Sequence, residues 1–333
     1  MWQATASLPE QVAEAAALQI QKLPDAHAIS AIAAVGMGGS GIAGDVLVAA
    51  AAEASPLPVV ATKSYELPSW VGPRTLVFAL SCSGDTEETV AAARCALERG
   101  AKLVVIAGGG ELGRLAAQAD APMVGVPSSI PQPRAALGAL AIPPLVILER
   151  MGVLPGAGER IAAAIEQLVR RRDELVRPGS AAEEVARRIG RTIPLVHGAS
   201  GLGAVAAQRW KTQMNENAKS PAFWSAQPEL CHNEVVGWGQ HGDLTRQALT
   251  VVALRCLDEH PQVARRFRIV DELLAEVVAD VVEVTGEGQG SLAQFFDLAL
   301  FGDFVSLHMA AREGIDPGPV PILGELKAAL RRR

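Results

Sequence analysis

Two short segments, GMGGSGIAGD at Gly36–Asp45 and SCSGDTEETV at Ser81–Val90, each stand where an apolar run turns into a helical pattern. The first exposes backbone N–H groups with little side chain in the way. The second places the hydroxyls of Ser81, Ser83, Thr86 and Thr89 beside a helix start. Unpaired amides and the positive end of the helix dipole both favour a phosphate at such junctions. Two of them close together in sequence point to a pocket for a phosphorylated small molecule.

The surrounding pattern supplies a fold for these loops. Short apolar runs at Ala31–Val35, Pro58–Ala61, Thr75–Leu80, Leu103–Ala107 and Met123–Val126 alternate with longer amphipathic stretches such as Glu87–Arg99. Runs that are apolar throughout, rather than alternating, belong to parallel sheets covered on both faces. The expected fold is α/β, doubly wound. At 333 residues the chain exceeds one ordinary core. Over Leu154–Pro178 a hinge followed by a polar helix, Glu159–Leu175, dense in Arg170–Arg172, precedes a restart of the alternation at Ile193–His197, Leu249–Leu254 and Val281–Val284. Gly38-x-Ser40-Gly41 also echoes Gly198-x-Ser200-Gly201. Two related halves are therefore expected, residues 1–153 and 154–333.

Composition excludes several classes. A formal charge of −6 and 4% aromatic residues argue against nucleic acid as a partner. The terminal Arg331–Arg333 run reads as a solvated tail. Ala31–Ala52 approaches the length of a membrane span, but Asp45 and the glycines make it a strand, a turn and a helix. No signal peptide is evident at the N-terminus, so no membrane association is expected. Four scattered cysteines, Cys82, Cys95, Cys231 and Cys256, suit free thiols in a reducing cytoplasm. His27, His197, His241, His260 and His308 form no HxH or HExxH spacing, so no zinc site is expected. Gly36-Met-Gly38-Gly39-Ser-Gly41 formally fits the dinucleotide fingerprint. The acidic residue that should end the next strand is replaced by Lys63, with Glu66 only later, which disfavours a nicotinamide cofactor.

The two loops resemble those of the sugar isomerase (SIS) domain. NENAKSPAFWSAQPELCHNEVVGW at Asn215–Trp238 and DPGPVPILGELKAAL at Asp316–Leu330 are similar to the second half of the bifunctional phosphoglucose/phosphomannose isomerases. The resemblance implies two SIS domains, each with a five-stranded parallel sheet flanked by helices, in a cytoplasmic homodimer. It also implies a cofactor-independent enzyme interconverting glucose 6-phosphate, and mannose 6-phosphate, with fructose 6-phosphate through a cis-enediol. Gly39, Ser40, Ser81, Ser83 and Thr86 would hold the substrate phosphate. Glu216 would be the base, Arg134 would steady the enediolate, and Lys327 would assist at the ring oxygen. His232, which helps open the ring, would come from the partner subunit. This chain departs from the family pattern at Cys82, Cys231 and Gly318, departures that bear on substrate range. The alternative reading is a regulatory protein that binds phosphosugars without turning them over.

Overall fold

The apolar runs become two parallel sheets in the computed structural model, which describes residues 1–330. The Arg331–Arg333 tail expected from sequence lies outside the described residues. The chain opens with α1 (Trp2–Ala6) and α2 (Leu8–Ala16). It then forms β1 (Ala31–Val35), α3 (Gly38–Ala51), β2 (Val59–Thr62), β3 (Thr75–Ser81) and α4 (Glu87–Glu98). Next come β4 (Lys102–Ala107), α5 (Gly110–Gln118), β5 (Met123–Gly125), α6 (Leu137–Arg150) and α7 (Ala157–Leu175). The second half contains α8 (Ala181–Ile189), β6 (Ile193–Ala199), α9 (Leu202–Glu216), β7 (Phe223–Gln227) and α10 (Glu234–Gly237). It ends with α11 (Gly242–Ala248), β8 (Leu249–Arg255), α12 (Pro261–Leu274), β9 (Asp280–Thr285), α13 (Ser291–Arg312) and α14 (Pro321–Leu330). Among the described residues no helix is long and apolar enough to cross a membrane.

The first sheet has the order β2-β1-β3-β4-β5, with Val35 of β1 paired to Thr62 on one side and Ala79 on the other. Every residue of β3 is buried, as expected for a strand covered on both faces. The chain reverses its direction of travel across the sheet between β1 and β3. In open α/β sheets such a switch point leaves a crevice at the carboxyl ends of the strands, where ligands bind. Both signature loops open there, one after β1 and the other after β3. The strand order is that of flavodoxin-like sheets, not the 3-2-1-4-5-6 order of dinucleotide-binding domains.

The second sheet, β7-β6-β8-β9, repeats this order with four strands, not the expected five. After β4 the first half adds α5 and then β5. After β9 the chain instead passes through Gly286–Gly290 directly into α13, which is buried along most of its length. A parallel fifth strand needs a crossover of a dozen or more residues, and the segment ahead of α13 is too short for one. The two halves correspond by structure at Val35 with Ala199 and at Gly38 with Leu202, the ends and starts of their elements. The sequence echo pairs Gly38 with Gly198 instead, and Gly198 is still inside β6. Strand β7 lies in the Asn215–Trp238 segment, where no strand is expected from sequence; its first residues, Phe223 and Trp224, stay exposed at the sheet edge.

The polar helix expected at Glu159–Leu175 is α7, which begins two residues earlier and packs along α13 and against α2. Arg171 of α7 is buried against α13, donating from Nε to Asp297 Oδ1 at 2.7 Å and from Nη2 to Oδ2 at 2.8 Å. Asp297 also accepts from Gln167 Nε2 at 2.7 Å and from the Glu287 amide at 2.9 Å. Removing one member of a buried, hydrogen-bonded pair strands the other charge. Asp297→Ala is therefore expected to lower unfolding stability by about 3–5 kcal/mol, read as a fall in the urea midpoint.

Candidate functional site

A glycine loop approaches neighbouring backbone closely only because it lacks side chains, and this brings the site together. A Cβ on Gly36 would lie 3.0 Å from the Leu80 carbonyl oxygen and 3.0 Å from the Ser40 backbone. The loop after β1 is thus pressed onto the end of β3. A Cβ on Gly39 would lie 3.1 Å from the Pro133 carbonyl oxygen and 3.4 Å from Arg134 Cα. The first turn of α3, Gly38–Ser40, consequently sits between the Ser81 loop and the turn that carries Arg134. The first amides of α3 have no partner within the helix, the kind of donor an anion site uses.

The second loop is held by its own hydroxyls. Ser81 Oγ lies 2.9 Å from Thr86 Oγ1 and accepts from the Gly84 amide at 3.1 Å. Ser83 Oγ accepts from the Asp85 amide at 3.2 Å. Ser81 and Ser40 are buried, while Ser83 is exposed and Thr86 half-buried. Gly84 has φ +82°, and a Cβ there would meet the Gly109 carbonyl oxygen at 2.0 Å, so only glycine permits this turn. Cys82 is half-buried in the same loop, and burial pushes its thiol above the ordinary range. Lys63, which follows β2, is taken up elsewhere: its ammonium pairs with Asp45 of α3.

Arg134 joins the first half to the second. The side chain is 2% exposed, in a short turn over Pro133–Ala135 ahead of α6. Nε donates to Asn217 Oδ1 at 2.7 Å. Nη1 reaches Glu216 Oε2 at 3.3 Å and Gln132 Oε1 at 3.4 Å. Nη2 donates to the carbonyl oxygens of Gly318, at 2.9 Å, and Pro317. Every N–H donor of the guanidinium is therefore occupied. Burial pulls its pKa down from the ordinary value, and the nearby carboxylates of Glu216 and Asp303 oppose that pull. Asn217 is in turn fixed by donating to Ser306 Oγ at 2.9 Å. Beneath it, Arg209 donates to Asp303 Oδ2 at 2.5 Å and to the Arg134 carbonyl oxygen at 3.1 Å.

Glu216 is the last residue of α9, its side chain 29% exposed, so one oxygen is held by Arg134 while the carboxylate still meets the crevice. Lys219 Nζ donates to the Glu216 carbonyl oxygen and so caps the end of α9. The structure thus joins Arg134 to Glu216 and Ser81 to Thr86 directly, and sets Gly39 and Ser40 between them through the close approaches of Gly39 to Arg134 and of Gly36 to Leu80. It does not bring His232 or Lys327 to them within one chain. His232 is exposed at the end of a short helical turn over Glu229–His232, and Lys327 is on α14, every residue of which is exposed. Among the described residues neither side chain has a hydrogen-bond partner.

Motif reading missed Asn217, Lys219, Gln132 and the carbonyls of Pro317 and Gly318. Asn217 and Lys219 flank Glu216 in NENAK and were within reach of the sequence. The two carbonyls were not, because a backbone acceptor leaves no residue signature. Gly318 is held in place when its amide donates to Asp316 Oδ1 at 2.8 Å. Cys231 donates to Gln227 Oε1 at 3.0 Å.

The equivalent crevice of the second half has different chemistry. After β8 the loop reads Arg255-Cys-Leu-Asp-Glu-His where the first half reads Ser81-Cys-Ser-Gly-Asp-Thr. Arg255, Leu257 and His260 stand where the first half has the hydroxyls of Ser81, Ser83 and Thr86, and Asp258 puts a negative charge in the place of Gly84. Burial, helped by the carboxylates of Asp258 and Glu259, pushes the Cys256 thiol up to about 12. At pH 8 about one molecule in ten thousand would then carry a Cys256 thiolate. In the native protein at pH 8, Cys256 is expected to resist a thiol-specific disulfide reagent and to react at once on unfolding, as followed by mass spectrometry.

This fold and this crevice define a double SIS-domain protein. Residues 27–142 match the SIS domain family, and residues 179–330 match the bacterial phospho-glucose isomerase C-terminal SIS domain. The chain is 33% identical over 336 residues to the bifunctional phosphoglucose/phosphomannose isomerase of Caldicellulosiruptor bescii, covering 99% of this chain and 98% of that one. The enzyme of the same description from Aquifex aeolicus is 33% identical, with 89% of each chain covered. The fold also superposes on the C-terminal domain of glucosamine-fructose-6-phosphate aminotransferase from Francisella tularensis, with a TM-score of 0.71 and 17% identity over 94% of this chain and 96% of that one. The chain belongs to the bifunctional phosphoglucose/phosphomannose isomerase family.

Proposed function

We propose that this protein is an isomerase interconverting glucose 6-phosphate and mannose 6-phosphate with fructose 6-phosphate. The observation that carries the reading is the contact chain from the glycine loop through Arg134 to Glu216, which brings one carboxylate to the same arginine turn that the glycine loop packs on. The α3 amides and the hydroxyls of Ser40, Ser81, Ser83 and Thr86 take the phosphate. Their hydrogen bonds within the loop hold the oxygens in position before substrate arrives, which lowers the ordering cost of binding.

Isomerisation moves one proton between C1 and C2 and another between their oxygens. Glu216 takes the carbon-bound proton from one face and returns it to the adjacent carbon. The cis-enediolate formed between those events is stabilised by Arg134. Because all five N–H donors of Arg134 are already occupied, it acts as a positive charge fixed before the reaction begins, not as a free fork that closes on the oxygens. Ring opening needs an acid at the ring oxygen and a base at the C1 hydroxyl, roles assigned to Lys327 and His232.

The exposed positions of both residues support a homodimer in which His232 of the partner subunit completes the crevice. We place the division between the halves at Val153–Leu154 and the protein in the cytoplasm, a compartment that suits its four free cysteines.

Purified protein given each hexose 6-phosphate is expected to produce fructose 6-phosphate, and no turnover of either would refute the reading. Glu216→Gln is expected to reduce turnover at least 1,000-fold (~4 kcal/mol) while inorganic phosphate binding, measured calorimetrically, stays within twofold. Near-normal turnover in that variant would remove Glu216 from the mechanism.

A further inference from the structure

The second half contains a buried polar cluster that the site described above does not use. His197, in the middle of β6, is fully buried. Its register partner on β7 is Ser225. Glu234, the first residue of α10, bridges the two. His197 Nε2 lies 3.0 Å from Glu234 Oε1, and Ser225 Oγ donates to Glu234 Oε2. Burial raises the Glu234 pKa, but hydrogen bonds from His197, Ser225 and Trp238 outweigh it and hold the carboxyl below its ordinary value. A carboxylate only accepts, so the imidazole proton sits on Nε2. Nδ1 is left buried and without a partner.

A buried imidazole and a half-buried carboxylate are costly to take out of water and need a compensating partner. Here the partner is a segment, not a bound molecule. Glu234 lies two residues beyond His232, and the intervening Asn233 ties them together: its Oδ1 accepts from the Glu234 amide at 2.7 Å and its Nδ2 donates to Glu229 Oε1 at 2.8 Å. On the other side of His232, Leu230 is buried against Val251, Val270 and Leu274. The peptide around His232 is thus pinned before and after it while His232 itself stays exposed.

We propose that His197, Glu234 and Ser225 are positioning residues for His232, fixing the turn that presents its imidazole to the crevice of the partner subunit. The proposal rests on the isomerase reading above and deepens it. Glu234 acts as a staple between the sheet and the Glu229–Gly237 segment: without its charge the sheet-side bonds weaken and His232 loses its fixed aim. The expected loss is in turnover, since the phosphate cradle lies in the other half of the chain.

A double-mutant cycle on the full-length protein tests this with glucose 6-phosphate. His232→Asn is expected to lower kcat at least 100-fold. Glu234→Gln, nearly isosteric, is expected to lower kcat about tenfold with KM unchanged within twofold. In the His232→Asn background Glu234→Gln should cost less than twofold, because the residue it positions is already gone. Glu234→Asp, which keeps the charge, should recover part of the loss. Ser225→Ala removes one hydroxyl from a half-buried site and supplies the same cycle should Glu234→Gln fail to fold. An equal loss in both backgrounds, or no loss in either, overturns the positioning role and leaves the isomerase reading standing. Full activity in His232→Asn instead removes His232 from the mechanism, and the positioning role falls with it.

Discussion

A buried guanidinium holds the site together. Arg134 cannot lose its proton at any physiological pH, and a charge 2% exposed is tolerable only when its donors are met. Five acceptors from three distant parts of the chain meet them: Gln132 beside it, Glu216 and Asn217 at the end of α9, and the carbonyls of Pro317 and Gly318 after α13. Breaking any of these associations strands the charge, so satisfying Arg134 and assembling the site are the same event. The underlying pair, Arg209 with Asp303, repeats this logic one layer deeper. Burial pushes the Asp303 pKa up, and Arg209 works against that rise.

The two halves share a strand order but divide the labour. In the first, small residues and hydroxyls follow β1 and β3, leaving amides and O–H groups free for an anion. In the second, the loop after β8 is acidic and the end of α9 is spent on Glu216 and Asn217. The second half therefore supplies a carboxylate, an amide and two carbonyls to an arginine held by the first. The lost fifth strand fits this division. Its place in the chain is taken by the direct entry into α13, whose Asp303 and Ser306 brace Arg209 and Asn217.

The strands of the first half were legible because fully covered parallel strands leave unbroken apolar runs, and β1 begins and ends where its run does. The Ser81 loop was legible for a related reason: three hydroxyls and a glycine exceed what a helix cap needs. β7 was hidden because five residues at a sheet edge, two of them exposed aromatics, show no periodicity. The polar helix read at Glu159–Leu175 is α7, but its solvated character breaks down at Arg171. A run of three arginines looks solvated until Asp297, far away in sequence, is known to face the middle one.

Resemblance to the family marked Arg134 and Glu216, whereas local chemistry written along the chain determined the alternation of strands and helices and the two glycine- and hydroxyl-rich turns. These are properties of neighbours within a few residues, where propensity, periodicity and glycine content act directly. Only the tertiary structure decided that Arg134 is saturated, that its partners include two carbonyls, that the second sheet stops at four strands, and that His232 and Lys327 face outward from their own subunit. Each of those depends on groups far apart in sequence meeting in a low-dielectric interior, where the energy of a charge is set by what surrounds it and not by what precedes it in the chain.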